Sequence, residues 1–155
     1  AKAFGAQVSW DARENAVRIT TGGAPIQSGS TYYNADDVYW LSRIIYAESG
    51  GEPLKGQVAV GNVVLNRVAH PSFPNTIYSV IFAHSDGVYQ FSPVANSTVY
   101  NTPSEQSVIA AKLCLDGAVV VSDSLFFFNP AIATSNWISD TRDYRVTIGN
   151  HAFYA

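Results

Sequence analysis

An apolar run between Pro53 and Val68 constrains the fold more than any other feature of the sequence. If this run is a helix, large apolar side chains lie on nearly every side of it: Leu54, Val58, Val60, Val63, Val64, Leu65 and Val68. A helix that is apolar all round has to be enclosed by other elements. The sequence therefore predicts a central, buried helix, with Pro53 at its first position because proline suits the start of a helix.

A first helix is predicted just before this central one. Its apolar face carries Val38, Leu41 and Ile45 at helical spacing, and Glu48 continues the same stripe. Gly50-Gly51 follows directly, and glycine often ends a helix in the left-handed conformation. We therefore expect the first helix to end at Gly50 with a left-handed cap.

Two further helices are expected after the central one. A short helix is predicted over residues 76–82, and the residues from 84 to 101 read as a loop. Thr102-Pro103-Ser104-Glu105 is typical of a capping box with proline at the first helical position. The helix that it opens should run to Asp116 and stop at Gly117.

Short strands complete the prediction. Residues 7–20 predict a hairpin, because apolar and polar residues alternate on both sides of a turn. Residues 124–128 predict one more strand, and residues 145–154 predict two strands around the turn Gly149-Asn150. We therefore expect an α+β fold that is mainly α, with small β-hairpins.

Two parts of the chain are expected. Residues 1–33 form a β-hairpin arm and linker, since several glycines and Ser/Thr residues follow the hairpin. Residues 34–155 form the main domain.

The composition excludes several classes of partner and cofactor. The net charge is −3, whereas proteins that bind nucleic acid usually carry a basic face. No apolar run approaches the roughly 20 residues of a membrane helix, so no membrane insertion is expected. No metal or cofactor is predicted, because His70, His84 and His151 lack the spacing of metal ligands.

Cys114 is the only cysteine, so no internal disulfide can form. With His151 it could suggest a thiol peptidase. However, it falls inside a predicted helix among apolar residues, whereas a nucleophilic cysteine prefers an exposed, electropositive helix start. We expect a buried structural thiol.

Glu48 is the acid that the residues themselves single out. Its place on the apolar stripe predicts burial, which raises the pKa of a carboxyl group. Its place at a helix C-terminus adds a dipole that disfavours the anion. A carboxyl group kept protonated near neutral pH is what a glycosidase uses to protonate a leaving oxygen. The alternative, a buried acid paired with an arginine, remains equally open at this point: Arg43, Arg67 or Arg142.

Glu52 has the opposite setting. It precedes the central helix, where the helix dipole favours an anion. We expect it to cap that helix or to orient substrate. It is also the candidate second carboxylate should the chemistry need one.

Several motifs follow one another in order from residue 34 to the end: AESGGEPLKGQVAVGNVVLNRVAHPSFPNTIYSVIF (47–82), YQFSPV (89–94), YNTPSE (100–105), FFFNP (126–130), TSNW (134–137) and IGNHAFY (148–154). Together they resemble the catalytic domain of SleB-type cell wall hydrolases, which include the spore cortex-lytic enzymes SleB and CwlJ. The resemblance implies a lysozyme-like, lytic-transglycosylase-type fold that acts on peptidoglycan.

In this family the catalytic glutamate falls on Glu48. The resemblance implies that it first protonates the oxygen between N-acetylmuramic acid and N-acetylglucosamine. As a carboxylate it then takes the proton of the muramic C6 hydroxyl, which closes a 1,6-anhydro ring. No cofactor is implied.

The resemblance also implies which residues contact the glycan. The pair Glu48-Ser49 is similar to a Glu-Ser pair of soluble lytic transglycosylases. The other expected substrate-binding residues come from YQFSPV and FFFNP: Gln90, Phe91, Ser92, Phe128 and Asn129. Tyr46 and Trp137 are either cleft or packing residues.

The biological setting implied is cortex degradation during germination, outside the cytoplasm of a Gram-positive spore-former. Glycan strands are the expected partner of a monomer, and an accessory or regulatory spore protein is a further candidate partner. Many spore enzymes have an alanine-rich stretch where this chain has residues 90–93, so vegetative wall is an alternative substrate. The alternatives to transglycosylation are a hydrolytic muramidase and a non-catalytic glycan-binding module.

The N-terminal segment GAQVSWDARENAVRIT, residues 5–20, is similar to the last hairpin of the copper amine oxidase N-terminal-like stalk domain. Only a fragment of that domain is present, and nothing in it can hold copper. We expect the remnant of an N-terminal stalk domain.

Overall fold

The computed structural model describes residues 7–14, 16–20 and 32–155. The chain divides into two compact units, Ala1–Tyr32 and Tyr33–Ala155. In the first unit, β1 (Gln7–Asp11) and β2 (Ala16–Thr20) pair antiparallel, with Asp11 opposite Ala16. The Asp11 carboxylate accepts a hydrogen bond from the Arg13 backbone N–H at 3.0 Å across the turn. The predicted hairpin is confirmed, whereas most of the predicted linker lies outside the described residues.

The second unit is built on six α-helices and one 3-10 helix, Thr98–Tyr100. The α-helices are α1 (Ala35–Ser49), α2 (Leu54–Ala69), α3 (Ile77–Ile81), α4 (Ser92–Ala95), α5 (Glu105–Leu115) and α6 (Trp137–Thr141). None of the described helices is long and apolar enough to cross a membrane.

The central helix α2 is the core of this unit, as predicted. It packs against α1, α3 and α5, and its middle residues are almost fully buried: Val58, Ala59, Val60, Val63 and Val64. Gly61 permits the close approach of the neighbouring helices. A Cβ there would lie 2.6 Å from Cys114 Sγ of α5 and 2.9 Å from Ile45 Cδ1 of α1.

The helix ends differ from the sequence prediction in three details. Pro53 is the residue before the first turn of α2, not the first helical residue. The cap of α5 is Ser104, whose hydroxyl accepts a hydrogen bond from the Ser107 N–H at 3.1 Å, so Pro103 precedes the helix. The capping box was therefore placed too early. The third difference concerns Gly50.

Gly50 follows α1 in the right-handed conformation, with φ −59° and ψ −24°, so the prediction of a left-handed cap is wrong. Glycine is required here by space instead. A Cβ at this position would lie 2.6 Å from the Tyr46 carbonyl oxygen and 2.8 Å from its ring. The predicted end of α5 is correct to within a residue, and there Gly117 does take a positive φ of 91°.

The described part of this unit contains two small antiparallel sheets. β3 (His84–Ser85) and β4 (Val88–Tyr89) form a hairpin inside the segment that was predicted as loop. Its turn is Asp86-Gly87, both with positive φ, which is the preferred composition for a two-residue hairpin turn. The dipeptide Asp86-Gly87 is therefore a sequence signal for this hairpin, and the prediction of a loop is wrong here.

The second sheet has the strand order β5-β7-β6, from β5 (Phe126–Phe128), β6 (Tyr144–Ile148) and β7 (His151–Tyr154). The Gly149-Asn150 turn joins β6 to β7 as predicted, with Gly149 at φ 59°. The buried strand β7 lies in the middle. The fold is α+β and mainly α, in agreement with the sequence prediction.

Candidate active site

An open cleft of about 1020 Å³ lies beside the end of α1. Three segments of the chain line it: residues 46–52, residues 89–92 and the stretch from β5 to α6. Two single residues complete the lining, Arg67 of α2 and His151 of β7. All the site residues predicted from the sequence belong to this lining: Glu48, Ser49, Glu52, Gln90, Phe91, Ser92, Phe128 and Asn129. The fold thus brings together residues that are up to 81 positions apart in the chain.

Glu48 lies in the last turn of α1, partly buried in the cleft wall. Burial raises the pKa of its carboxyl group to about 7, and the charge of Arg67 opposes this rise. The direction agrees with the expectation from the apolar stripe. Among the described residues, no lysine, arginine or histidine lies within 4.0 Å of its carboxylate.

The arginine pairing considered as an alternative for Glu48 is therefore absent as a direct contact in the described structure. Arg43 lies over the ring of Tyr39, and Arg142 lies over the rings of Phe126 and Trp137. The charge of Arg67 does lower the pKa of Glu48, but the two side chains form no ion pair within 4.0 Å.

Arg67 is an unusual member of the buried helix α2, because its side chain is only 5% exposed. Its Nε donates to the carbonyl oxygen of Leu125 at 2.7 Å. Three phenyl rings surround the guanidinium at 5.0–5.4 Å: Phe73, Phe91 and Phe126. Its Nη1 is buried and has no hydrogen-bond partner.

Glu52 does not cap α2, so the capping role expected for it is wrong, although its carboxylate does have a structural role. No side chain caps the helix, and the Glu52 carboxylate turns instead toward the β6–β7 turn. The backbone N–H of Asn150 donates to Oε2 at 3.1 Å, and its side-chain Nδ2 donates to Oε1 at 2.7 Å. A Cβ at Gly149 would overlap Oε2, so only glycine fits beside it. Both carboxylate oxygens of Glu52 are thus committed to the hairpin.

The backbone beneath this contact is also held in place. The carbonyl oxygen of Glu52 accepts hydrogen bonds from Gln57 Nε2 at 3.0 Å and from Gln106 Nε2 at 3.1 Å. His151 Nδ1 lies 3.9 Å from Glu52 Oε1. Burial lowers the pKa of His151 despite the nearby carboxylate, which favours a neutral ring in the cleft wall.

The residues predicted to bind substrate differ in how free they are to do so. Gln90 and Ser92 are exposed at the cleft edge, whereas Phe91 is only 3% exposed and belongs to the core. Ser49 is buried, and its hydroxyl donates to the Ile45 carbonyl oxygen at 2.8 Å. Of this group, Gln90 and Ser92 have the most accessible side chains.

The two residues predicted from FFFNP also line the cleft. The Phe128 ring stacks on Tyr154 with 5.5 Å between ring centroids. The Asn129 side chain accepts a hydrogen bond from the Ala131 N–H at 2.9 Å, so it also shapes the local turn.

The sequence analysis does not assign several lining residues to the cleft, among them Ile132 and His151. Trp137, for which the sequence allows either a cleft or a packing role, lies at the cleft edge with half of its surface exposed. Its ring meets Phe126 edge-on at 5.9 Å, and the Arg142 guanidinium lies 5.2 Å from it. The place of Arg67 in the cleft lining could have been suspected from the sequence, because it is the one charged residue in the second half of an apolar helix.

Cys114 is buried in α5, and burial raises the pKa of its thiol to about 12. It is absent from the lining of the cleft. The interpretation as a structural thiol is confirmed. Within the described ranges, no group of three or more His, Cys, Asp or Glu residues is placed to hold a metal ion.

Comparison with known proteins places this cleft in context. A family described as Cell Wall Hydrolase matches residues 51–154. A spore cortex-lytic enzyme of Bacillus cereus is 41% identical over 121 residues, which are 78% of this chain and 45% of that protein. One from Oceanobacillus iheyensis is 35% identical over 133 residues, 86% of this chain and 46% of that protein. The chain thus spans about half the length of these relatives.

Two solved structures have the same fold. The catalytic domain of the germination-specific lytic transglycosylase SleB from Bacillus anthracis is 39% identical, with a TM-score of 0.71. The match covers 84% of this chain and all of that domain. The catalytic domain of the Bacillus cereus SleB protein is 38% identical, with a TM-score of 0.68, over 86% of this chain and 99% of that domain. The lytic-transglycosylase-type fold implied by the resemblance is confirmed.

Proposed function

The chain belongs to the cell wall hydrolase family, in its SleB/CwlJ type, and on that premise we propose that it is a peptidoglycan lytic transglycosylase. Its substrate is the bond between N-acetylmuramic acid and N-acetylglucosamine. Glu48 is the single catalytic acid and base. The observation that carries the proposal is the partly buried Glu48 carboxyl group, with a pKa of about 7 and no lysine, arginine or histidine within 4.0 Å among the described residues.

The chemistry follows from that environment. Near neutral pH a substantial fraction of Glu48 is protonated, so it can give its proton to the bridging oxygen as the bond to muramic C1 breaks. The resulting carboxylate takes the proton of the C6 hydroxyl while O6 bonds to C1. Glu48 is thereby protonated again, and no water is consumed.

The state of Glu52 favours this route over hydrolysis. A hydrolytic muramidase needs a group that activates water, and in the described lining Glu52 is the only carboxylate other than Glu48. Its two oxygens are bound by Asn150 at 2.7 and 3.1 Å. A transglycosylase needs no second free carboxylate.

Glycan binding is assigned to the cleft walls. Gln90 and Ser92 supply exposed polar groups, and Ser49 and Phe91 are buried members of the same lining. Phe128 and Asn129 also line the cleft, and the half-exposed Trp137 offers an aromatic face of the kind on which sugar rings stack. Residues 34–155 are the catalytic domain in this proposal, and residues 1–33 are the remnant of a stalk.

The biological role proposed is degradation of spore cortex during germination, outside the cytoplasm. The names of the relatives support it, because the matched proteins are spore cortex-lytic enzymes and a germination-specific lytic transglycosylase. Action as a monomer and the involvement of an accessory spore protein stay predictions.

The deciding experiment is mass spectrometry of the glycans released from purified spore cortex and from vegetative wall. We expect fragments that end in 1,6-anhydromuramic acid, each lighter by one water than the hydrolysis product, and a preference for cortex. Reducing ends would mean a muramidase. No release from either wall, together with binding to both, would mean a glycan-binding module.

A further inference from the structure

The Arg67 guanidinium has a position that the proposed acid–base cycle does not yet explain. It is 5% exposed and lines the cleft at the end of a helix whose other buried side chains are apolar or amide. Its Nε is fixed by the Leu125 carbonyl oxygen at 2.7 Å. Three rings enclose the guanidinium, so it cannot move far.

The free nitrogen of this group needs an acceptor. Arg67 Nη1 is shielded from solvent and has no hydrogen-bond partner. Leaving a buried charged donor without a partner is costly, and native proteins rarely do so without a functional reason. Among the described residues, no carboxylate oxygen lies within 4.0 Å of this guanidinium.

Glu48 is the group in the cleft that can become that acceptor. The other titratable side chains of the described lining are Tyr46, Glu52, Tyr89 and His151. Glu52 is bound to Asn150, and the pKa of His151 is lowered by burial. Glu48 and Arg67 also interact electrostatically: the charge of Arg67 lowers the pKa of Glu48, and the charge of Glu48 raises the pKa of Arg67. Each group therefore favours the charged form of the other.

We propose that Arg67 is a positioning residue that receives the Glu48 carboxylate at Nη1 whenever Glu48 is ionised, and releases it when Glu48 is protonated. The proposal rests on the proposed function of Glu48. On this proposal, the Glu48 side chain occupies one position when it acts as the acid and another when it acts as the base. The neutral carboxyl is free to face the bridging oxygen, and the carboxylate left by proton transfer is held by a fixed cation until it takes the C6 hydroxyl proton.

The test that needs no change at Arg67 is NMR titration of the protein with labelled arginine and glutamate side chains. We expect the Arg67 guanidinium nitrogens to shift with the same midpoint as the Glu48 carboxyl carbon. The shift should vanish in Glu48→Gln. Arg67 signals that stay flat while Glu48 titrates would overturn the proposal, because Nη1 would then serve water or the glycan instead.

Variants add a kinetic readout. In Arg67→Gln, loss of the positive charge should raise the Glu48 pKa by about 1–2 units, which moves the alkaline limb of the pH–rate profile upward by the same amount. The maximal kcat should fall by about 10- to 100-fold. Arg67→Lys should keep the limb near its original pH, because it keeps the charge.

Arg142→Gln is the matched control, since it also removes an arginine that lies over Phe126 but is exposed. It should leave the limb unchanged. An unshifted limb in a folded Arg67→Gln protein would overturn the proposal. Turnover retained in Glu48→Gln would instead refute the proposed function, while the NMR titration would still report on the contact between the two side chains.

Discussion

Two glutamates four residues apart line the same cleft but have different environments. Glu48 lies in the last turn of α1, and its carboxyl group forms no ion pair among the described residues. Burial raises its pKa to about 7. Glu52 lies in the next turn with both oxygens bound by Asn150. The same side chain is thus the proposed catalytic acid in one place and a structural clamp in the other. The difference between the two carboxylates is that the β6–β7 turn brings the hydrogen-bond donors of Asn150 to Glu52.

The largest effect that would test this comparison is on turnover. Glu48→Gln keeps the size of the side chain but removes its exchangeable acid proton, so release of glycan fragments should fall by about 10²–10⁴-fold. Glycan pull-down should remain near that of the unsubstituted protein, and thermal unfolding should match it at pH 4, where Glu48 is protonated in both the folded and the unfolded state. An active Gln variant would assign the chemistry to another group.

Glu52→Ala should act mainly on stability. It removes two hydrogen bonds that the exposed Asn150 donates to the buried, charged Glu52, so the free energy of unfolding should fall by about 3 kcal/mol in urea titrations. Anhydro-ended products should still form at low temperature, where the fold persists. A loss of product comparable to that of Glu48→Gln in a folded Glu52→Ala protein would contradict the division of roles.

Gly149→Ala sharpens the same point from the other side of the contact. A Cβ at Gly149 would overlap Glu52 Oε2 and sit on a backbone with φ 59°. We expect a loss of about 2–3 kcal/mol, from the strained backbone and the displaced carboxylate. Gly87→Ala is the control, because its φ is 78° but nothing lies within 4 Å of the added Cβ. It should lose only about 1 kcal/mol, and equal losses would show that the clamp contributes little.

The smallest effect expected is the pH dependence of stability that Glu48 contributes. Its folded pKa, about 7, is above the ordinary value of 4.5, so the folded state binds more protons between these pH values. This contribution is fully present below pH 4.5 and is lost as the pH rises through 7. Glu48→Gln should therefore match the parent at pH 4 and be more stable by about 2 kcal/mol at pH 6. A difference that does not vary with pH would mean an unshifted Glu48.

Much of the fold is readable from local pattern. The apolar circumference of α2 predicts a buried centre, and the turn at Gly149-Asn150 predicts a hairpin; both are present. The errors are local as well. The cap of α5 moves from Thr102 to Ser104, and Asp86-Gly87 forms a hairpin in a segment read as loop. Such errors arise because several polar residues near a helix end or a turn satisfy the same pattern.

The sequence by itself determined the central helix, the mainly α composition and the family resemblance, and it predicted a raised pKa for Glu48 from its place on an apolar stripe. These depend on residue types and their spacing along the chain. Only the tertiary structure decided that Glu52 clamps a turn 98 residues away, that Gly50 is needed for space, and that Arg67 stands in the cleft with a free nitrogen. Those outcomes depend on which distant groups meet, and long-range contacts are set by packing rather than by local spacing.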